Sequence, residues 1–275
     1  MTTYAVTGAS GYVGSVICQC LRAKKHTVIE LGRNFKQKFV LGEEVYPSTL
    51  KEADVLVHCA WDFSLKNKED IWRVNVEGSQ KLLTAAKNIK TIFISTLSAF
   101  DGAKSLYGTA KLEVEKTALE LGATVIRPGL IFGKNAGGMV GSLMKLTNKL
   151  RIIPVVRPRQ HFHLCHVKDL AELIYHLSLF EPPAVPIVAA CEKHLTFRTI
   201  LKTLAKAQGK KIFLLPVPYF CAYLGLRTLE LIGLNLGFRS DSLKGLRYVN
   251  ENIDFEPTQK TQIEFREFNE DTAVE

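Results

Sequence analysis

Tyr107 and Lys111 lie four positions apart, a spacing that places two side chains on one face of a helix. A phenol in water ionises near about pH 10, so it moves protons near neutrality only with help. A cation one helical turn away favours the phenolate, the direction that general acid–base work on an alcohol or ketone requires. Upstream, Ser95-Thr96-Leu97-Ser98 ends an apolar, strand-like run and offers hydroxyls that could hydrogen-bond a reacting oxygen. A Tyr-x-x-x-Lys spacing is common by chance, so its weight depends on the elements around it.

The strongest of these is a glycine pattern, Thr7-Gly8-Ala9-Ser10-Gly11-Tyr12-Val13-Gly14, lying between a strand-like and a helix-like segment. Gly8 permits a tight turn, Gly11 lets the backbone approach a pyrophosphate, and Gly14 lets the helix pack on a sheet. The phosphates would rest on the helix N-terminus, where unpaired N–H groups and the dipole favour an anion. Gly8, Ser10, Gly11, Tyr12, Val13 and Gly14 are therefore candidate dinucleotide contacts. At the end of the second strand NAD-binding chains place an acid for the ribose 2′-hydroxyl. Here Gly32 occupies that position and Arg33 follows, with a charged fork of donors suited to a 2′-phosphate. The expectation is NADP. Glu30, two residues back on the same strand face, keeps NAD as the alternative.

Strand and helix signals alternate through the first 130 residues. Strand-like runs fall at 4–7, 27–31, 54–59, 91–95 and 124–127, and helix-like runs at 12–24, 70–87 and 107–121. Alternation of this kind implies right-handed βαβ units and a doubly wound, Rossmann-type α/β sheet covered on both faces. Beyond Gly129 the alternation breaks, with helices expected at 139–150, 167–179 and 196–208, the last capped by Gly209, and a loop punctuated by Pro154 and Pro158. Residues 1–250 read as one domain, a dinucleotide-binding core to about 130 followed by mostly substrate-binding elements. The last 25 residues hold eight acids against two bases and read as a loose tail.

With 47% apolar and 23% charged residues, the chain is neither disordered, collagen-like nor a disulfide scaffold. Its net charge of +9 suits an anionic ligand, though it speaks of partners rather than fold. Six cysteines without a CxxC pair or zinc spacing suit a reducing, cytoplasmic setting, and no signal-peptide pattern opens the chain. The most apolar stretch, 212–238, contains Pro216 and Pro218 and is interrupted by Arg227 and Glu230. It is too broken to span a membrane, so a buried or dimer-forming helix is expected, with an interfacial helix as the alternative.

Taken together, these motifs resemble the short-chain dehydrogenase/reductase superfamily, in particular its extended branch of epimerases, dehydratases and reductases acting on nucleotide sugars. The resemblance rests on the glycine loop, His58-Cys59-Ala60, Asn75-Val76-Glu77-Gly78-Ser79, the hydroxyl–Tyr–Lys set, Arg127-Pro128-Gly129 and His166-Val167-Lys168-Asp169-Leu170, in that order, across about residues 2–180. It implies Tyr107 as general acid/base and Lys111 as the group that holds the nicotinamide ribose and lowers the Tyr107 pKa. It implies Thr96, more than Ser98, as the hydroxyl that orients substrate. Cys59 and Ala60 would line the adenine-ribose side, and Arg127-Pro128-Gly129 would lead into the substrate pocket, with Pro128 against the cofactor. Three departures are informative. Leu97 and Ser98 stand where dehydratases carry an Asp–Glu pair, Val45-Tyr46-Pro47 replaces an expected Asp near the adenine, and Phe162 replaces a diphosphate-binding Arg. Arg157, Arg159 and Lys168 could substitute for that Arg.

Two function classes follow. One is an NAD(P)-dependent oxidoreductase or epimerase acting on a hydroxyl or keto carbon, foremost of a nucleotide sugar, with a steroid- or flavonoid-like alcohol as the other substrate class. The second is a dinucleotide-binding regulatory or assembly protein without turnover. The partners expected are a small molecule and a second copy of the chain, with no nucleic acid and no transmembrane segment. His161 and His163 share a strand face, but His166 does not, so no metal site is expected. Trp61 and Trp72 read as core or pocket-wall residues, and Asn75 as a hydrogen-bonding link between helix and strand.

Overall fold

The computed structural model describes residues 1–45, 47–231 and 240–275; Tyr46 of the Val45-Tyr46-Pro47 departure lies outside them. The first half alternates as the sequence predicts. Strand β1 (Thr3–Thr7) leads through α1 (Tyr12–Ala23) to β2 (Thr27–Gly32) and the short β3 (Gln37–Lys38). The chain then returns to the other side of β1 with β4 (Val55–His58), followed by β5 (Lys90–Ile94) and β6 (Thr124–Pro128). With β11 (Ile187–Ala189) these strands form one seven-stranded sheet in the order β11-β6-β5-β4-β1-β2-β3, parallel at every pairing. The order reverses between β1 and β4, and such a switch point opens a crevice at the strands' carboxyl ends. Gly8 and Cys59 lie there.

Burial follows from the apolar patterning. All four residues of β4 are buried, as a strand covered on both faces should be. On one face Ile17 and Leu21 of α1 meet Leu170, Leu173 and Ile174 of α6 (Val167–Ser178). On the other, Val114 and Ala118 of α4 (Leu106–Glu120) pack on Phe93 and Val125. The helix expected over 70–87 instead has three parts: α2 (Lys68–Asp70), a wider π-helical turn Ile71–Glu77, and α3 (Gly78–Ala85). Such widened turns gather at functional sites. This one carries Asn75 inward, fully buried.

The C-terminal lobe has no large sheet. Strands β7 (Leu130–Phe132) and β10 (Leu164–His166) pair, as do β8 (Ile152–Val155) with β13 (Phe213–Pro216) and β9 (His161–Phe162) with β12 (Leu195–Thr196). Helices α5 (Gly138–Lys149), α7 (Phe197–Ala207), α8 (Tyr219–Leu231) and α9 (Ser240–Arg247) surround a core that includes Phe132, Leu143, Ile153, Leu164, Ile200 and Leu204. Gly209, at φ +66°, ends α7 as expected. Pro154 lies inside β8 rather than in a loop. That strand has one paired neighbour, so a residue without an N–H is tolerated there.

One expectation is narrowed and another overturned. The segment from Phe213 to Leu231 is not simply buried: Leu214, Tyr223 and Leu226 face the lobe core, but Phe213, Leu215, Phe220 and Leu224 face outward. The residues 232–238 of that stretch lie outside the described residues. The acidic tail is not loose either. It includes a short helix, α10 (Glu256–Gln259), and packs Ile263 and Phe265 on the sheet-side core and Phe268 and Ala273 on the lobe core. Arg266 anchors it through a bidentate contact, its Nε at 2.9 Å from Oδ1 of the buried Asp169. Its acids pair outward, Glu267 with Lys193, Glu270 with Lys206 and Glu275 with Lys168. The apolar residues of the tail are too sparse to mark an element, so its order depends on these distant partners.

Candidate active site

The glycine loop closes as its sequence requires. Gly8 adopts φ +67°, and a Cβ there would meet the Ala60 nitrogen at 2.9 Å. A Cβ on Gly14 would come within 2.3 Å of the Gly8 carbonyl. Gly11 precedes α1 without a side-chain cap, and the first turn of α1 holds no acid. The N–H groups of Tyr12 and Val13 thus open α1 beside a glycine, as a pyrophosphate cradle would need. Gly32 leaves room that the Phe35 ring fills, at 2.9 Å from a would-be Cβ, and Arg33 is exposed beyond it. Glu30 is engaged by Arg22 of α1 at 3.2 Å.

Beneath the loop, a buried network ties β1 to β4. The backbone N–H groups of Cys59 and Ala60 both donate to Thr7 Oγ1 at 3.1 Å. The Thr7 hydroxyl then has its own proton left for His58 Nδ1, at 2.7 Å. His58 Nδ1 is therefore the acceptor, and its Nε2–H donates to Ser79 Oγ at 2.9 Å. Complete burial, aided by the nearby Lys111 charge, pulls the His58 pKa down to about 3, so the ring is neutral. This network fixes Cys59 and Ala60 against Gly8. Burial pushes the Cys59 thiol up to about 12, so it is an inert small hydrophobe rather than a nucleophile.

Tyr107 stands at the start of α4, whose first turn is fixed from three sides. Ser105 caps it by accepting from the Gly108 N–H at 3.1 Å. Asp241 of α9 accepts from the Leu106 N–H at 3.0 and 3.1 Å. Gly108 lies so close to the strand end that a Cβ would meet the Ser98 carbonyl at 2.2 Å. The phenol is thereby brought to Thr96, whose hydroxyl pulls its pKa down against a larger upward push from burial, to about 12. Ser98 contributes its backbone here, donating its N–H to Thr96 Oγ1 at 3.2 Å. Lys111 is nearly fully buried, donates to the Ile94 carbonyl at 2.6 Å, and lies 4.1 Å from the Trp61 ring centroid and 4.6 Å from that of Phe93. Burial brings its pKa down to about 7, against the opposing pull of Cys59 and Glu115.

Trp61, expected as a core or pocket-wall residue, lies in an aromatic segment after β4 that reaches Tyr107. Trp61 meets Tyr107 edge-on at 5.9 Å, and the exposed Phe63 lies at 5.7 Å. Asn75 holds this segment as a strand would. Its Oδ1 accepts from the Asp62 N–H at 2.8 Å and its Nδ2 donates to the Asp62 carbonyl at 3.0 Å. The signal was present in Trp61-Asp62-Phe63 and in Asn75, but their meeting depends on the π-helical turn. Asp241 was equally out of reach, 135 residues from its partner Leu106.

Most of the other candidates are held by their own partners. The Arg127 side chain forms a bidentate pair with the buried Glu115 of α4. Pro128 is buried, its carbonyl accepting from the Leu97 N–H at 3.0 Å. Arg157 donates to the Arg247 carbonyl and Lys168 pairs with Glu275, which commits both. Arg159 is exposed. His161 and His163 gather around His194, at 4.5 and 5.7 Å between rings. His166 sits apart and caps α6, accepting from the Lys168 N–H at 3.3 Å.

The sequence model of the NAD dependent epimerase/dehydratase family matches residues 4–182. The UDP-glucose 4-epimerase of Vibrio cholerae is 23% identical over 312 residues, covering 95% of this chain and 93% of its own. The uncharacterized protein Mb2073c of Mycobacterium bovis is 24% identical over 213 residues and 74% of this chain, but the chain spans only 23% of that protein's length. Among solved structures, MoeE5 in complex with UDP-glucuronic acid and NAD superposes with a TM-score of 0.74 at 16% identity, covering 99% of this chain and 97% of that one. The dTDP-4-dehydrorhamnose reductase of Bacillus anthracis in complex with NADP superposes with a TM-score of 0.67 at 18% identity, covering 89% and 98%.

Proposed function

This chain belongs to the NAD-dependent epimerase/dehydratase family, and from that premise we propose that it is a nicotinamide-dependent epimerase or oxidoreductase of a nucleotide sugar, with Tyr107 as general acid/base. The observation that carries this reading is that Tyr107 and Lys111 both meet Trp61, the residue that follows the Cys59-Ala60 pair packed against Gly8. The names of the Vibrio cholerae epimerase and of MoeE5 with UDP-glucuronic acid support a sugar nucleotide as substrate.

When bound, a nicotinamide dinucleotide supplies the hydride acceptor or donor. Gly8, Gly11 and Gly14 would hold its pyrophosphate, with Ser10, Tyr12 and Val13 beside them and Cys59, Ala60 and Pro128 lining the crevice. Arg33, exposed and next to Gly32, favours NADP over NAD. Tyr107, with a pKa near 12, carries its proton at neutral pH and so serves as the acid towards a ketone oxygen. In the reverse direction it must take up the alcohol proton, and the charge of Lys111 is what makes its phenolate accessible. Burial works against that charge, lowering the Lys111 pKa. Thr96 fixes the reacting oxygen against the phenol, donors held in place before charge develops. Leu97 and Ser98 supply no acid–base pair, which weighs against dehydration. A cytoplasmic setting suits the six free cysteines.

Incubating the protein with NADP⁺ or NAD⁺ and a panel of UDP- and dTDP-hexoses tests the reading. The expected result is a C4-epimerised or oxidised sugar by chromatography, with reduced nicotinamide in the second case. A protein that binds dinucleotide yet converts no sugar in the panel would overturn it.

A further inference from the structure

The outer face of the β8–β13 pair is apolar. The strands run parallel with Phe213 opposite Ile152 and Leu215 opposite Pro154, so these four side chains share one face. Leu214 and Ile153, one residue on, point into the lobe core. Ile152 is 60% exposed and Phe213 64%. Helix α8 follows within three residues of β13, and its Phe220 and Leu224, one turn apart, are 71% and 52% exposed. A monomer in water rarely leaves aromatic and aliphatic groups of this size so exposed in one region without a partner.

The elements that build this face carry a strong excess of cations. No acid lies between Glu120 and Asp169, or between Glu192 and Glu230, and those two stretches supply α5, β8, α7, β13 and most of α8. Because β8 and β13 are parallel, Lys149 and Arg151 lie at the same end of the face as Lys210 and Lys211. All four are exposed, and among the described residues none forms an ion pair. An apolar face with a cationic end, where the acids Glu270 and Glu230 are already paired with Lys206 and Arg227, matches an anionic bilayer surface, where apolar groups enter the interface and cations meet headgroups. A second copy on this face would bring two acid-poor lobes together. No described helix is long and apolar enough to cross a membrane, so α8 would lie in the interface plane.

We propose that this face, built from β8, β13 and the outer side of α8, docks the protein on anionic phospholipid. Co-sedimentation of the full chain with vesicles tests it, using phosphatidylcholine alone and an equimolar mixture with phosphatidylserine. At low salt the protein should pellet with the mixed vesicles at least about tenfold more than with neutral ones, and high salt should release it. Phe213→Glu with Phe220→Glu should cut that pelleting at least about tenfold while leaving the circular dichroism spectrum and dinucleotide binding unchanged, since both side chains are exposed. Phe220→Trp should shift its emission to the blue with mixed vesicles only. Recovery in the supernatant with both vesicle types would overturn the proposal, as would equal pelleting with both. So would a stable dimer in light scattering that the double variant converts to monomer, because the face would then be covered by a second copy.

Discussion

The parallel sheet and the C-terminal lobe treat their polar and apolar groups in opposite ways. In the sheet, two buried polar sets are matched internally, Thr7 with His58 and Ser79 and Arg127 with Glu115, while the hydroxyls of Ser95 and Thr124 stay buried without a partner. Its apolar strands are covered on both faces. The lobe is made of two-stranded pieces that cannot be covered twice, and it leaves Ile152, Phe213 and Phe220 in water beside unpaired cations. The sheet therefore serves as the rigid frame for the crevice, while the lobe presents surface. Between them the C-terminal segment packs on both cores, fastened at Arg266.

The fastening is where the comparison breaks most easily. Arg266→Ala would leave the Asp169 carboxylate, its side chain 7% exposed, without its bidentate partner. Breaking a buried pair from one side costs about 3 kcal/mol. Urea unfolding should show that loss, and limited proteolysis should cut first after residue 250. Unfolding as stable as the parent's would mean that the strap is held by its apolar residues alone.

Acid should weaken the fold through histidines buried in both regions. His58 is neutral in the fold, with its pKa lowered to about 3, whereas in the unfolded chain it takes up a proton below about 6.5. The unfolded state then binds more protons, so stability falls as pH drops, by about 1.4 kcal/mol per unit well below 6.5. His163 and His166, also lowered by burial, act in the same direction. Measured from pH 6.5 to 5, above most carboxylate titration, the slope should appear in the parent and shrink in His58→Asn. An unchanged slope would remove His58 from the account.

A smaller effect separates the cofactors. Arg33→Ala should weaken NADPH binding by about tenfold, the worth of one charge-assisted contact, and leave NADH binding nearly unchanged. Equal affinity of the parent for both would show that Gly32-Arg33 does not select.

How legible each region was follows from the range of its interactions. Tyr4–Thr7, the glycine loop and Tyr107–Lys111 could be read because their logic is local: a turn, a helix face, a run of β-branched residues. Asn75 was read as a link between helix and strand, but its two bonds to Asp62 could not be, because a π-helical turn has no sequence period of its own. The Arg127 pair was not legible because Glu115 is near only once α4 packs on β6. Phe213 and Leu215 alternate with a buried Leu214, a half-exposed strand pattern that the surrounding apolar run disguised.

The central claim is that Tyr107 transfers the proton while the sheet holds everything else in place. Tyr107→Phe keeps the ring against Trp61 and Phe63 and removes only the hydroxyl. Turnover of whichever nucleotide sugar the parent converts, measured beside dinucleotide affinity, is the direct test. The account predicts a loss of at least about a hundredfold in kcat, the lower end of general acid–base catalysis, with dinucleotide affinity within about twofold of the parent. A Tyr107→Phe protein with near-parental kcat would contradict it.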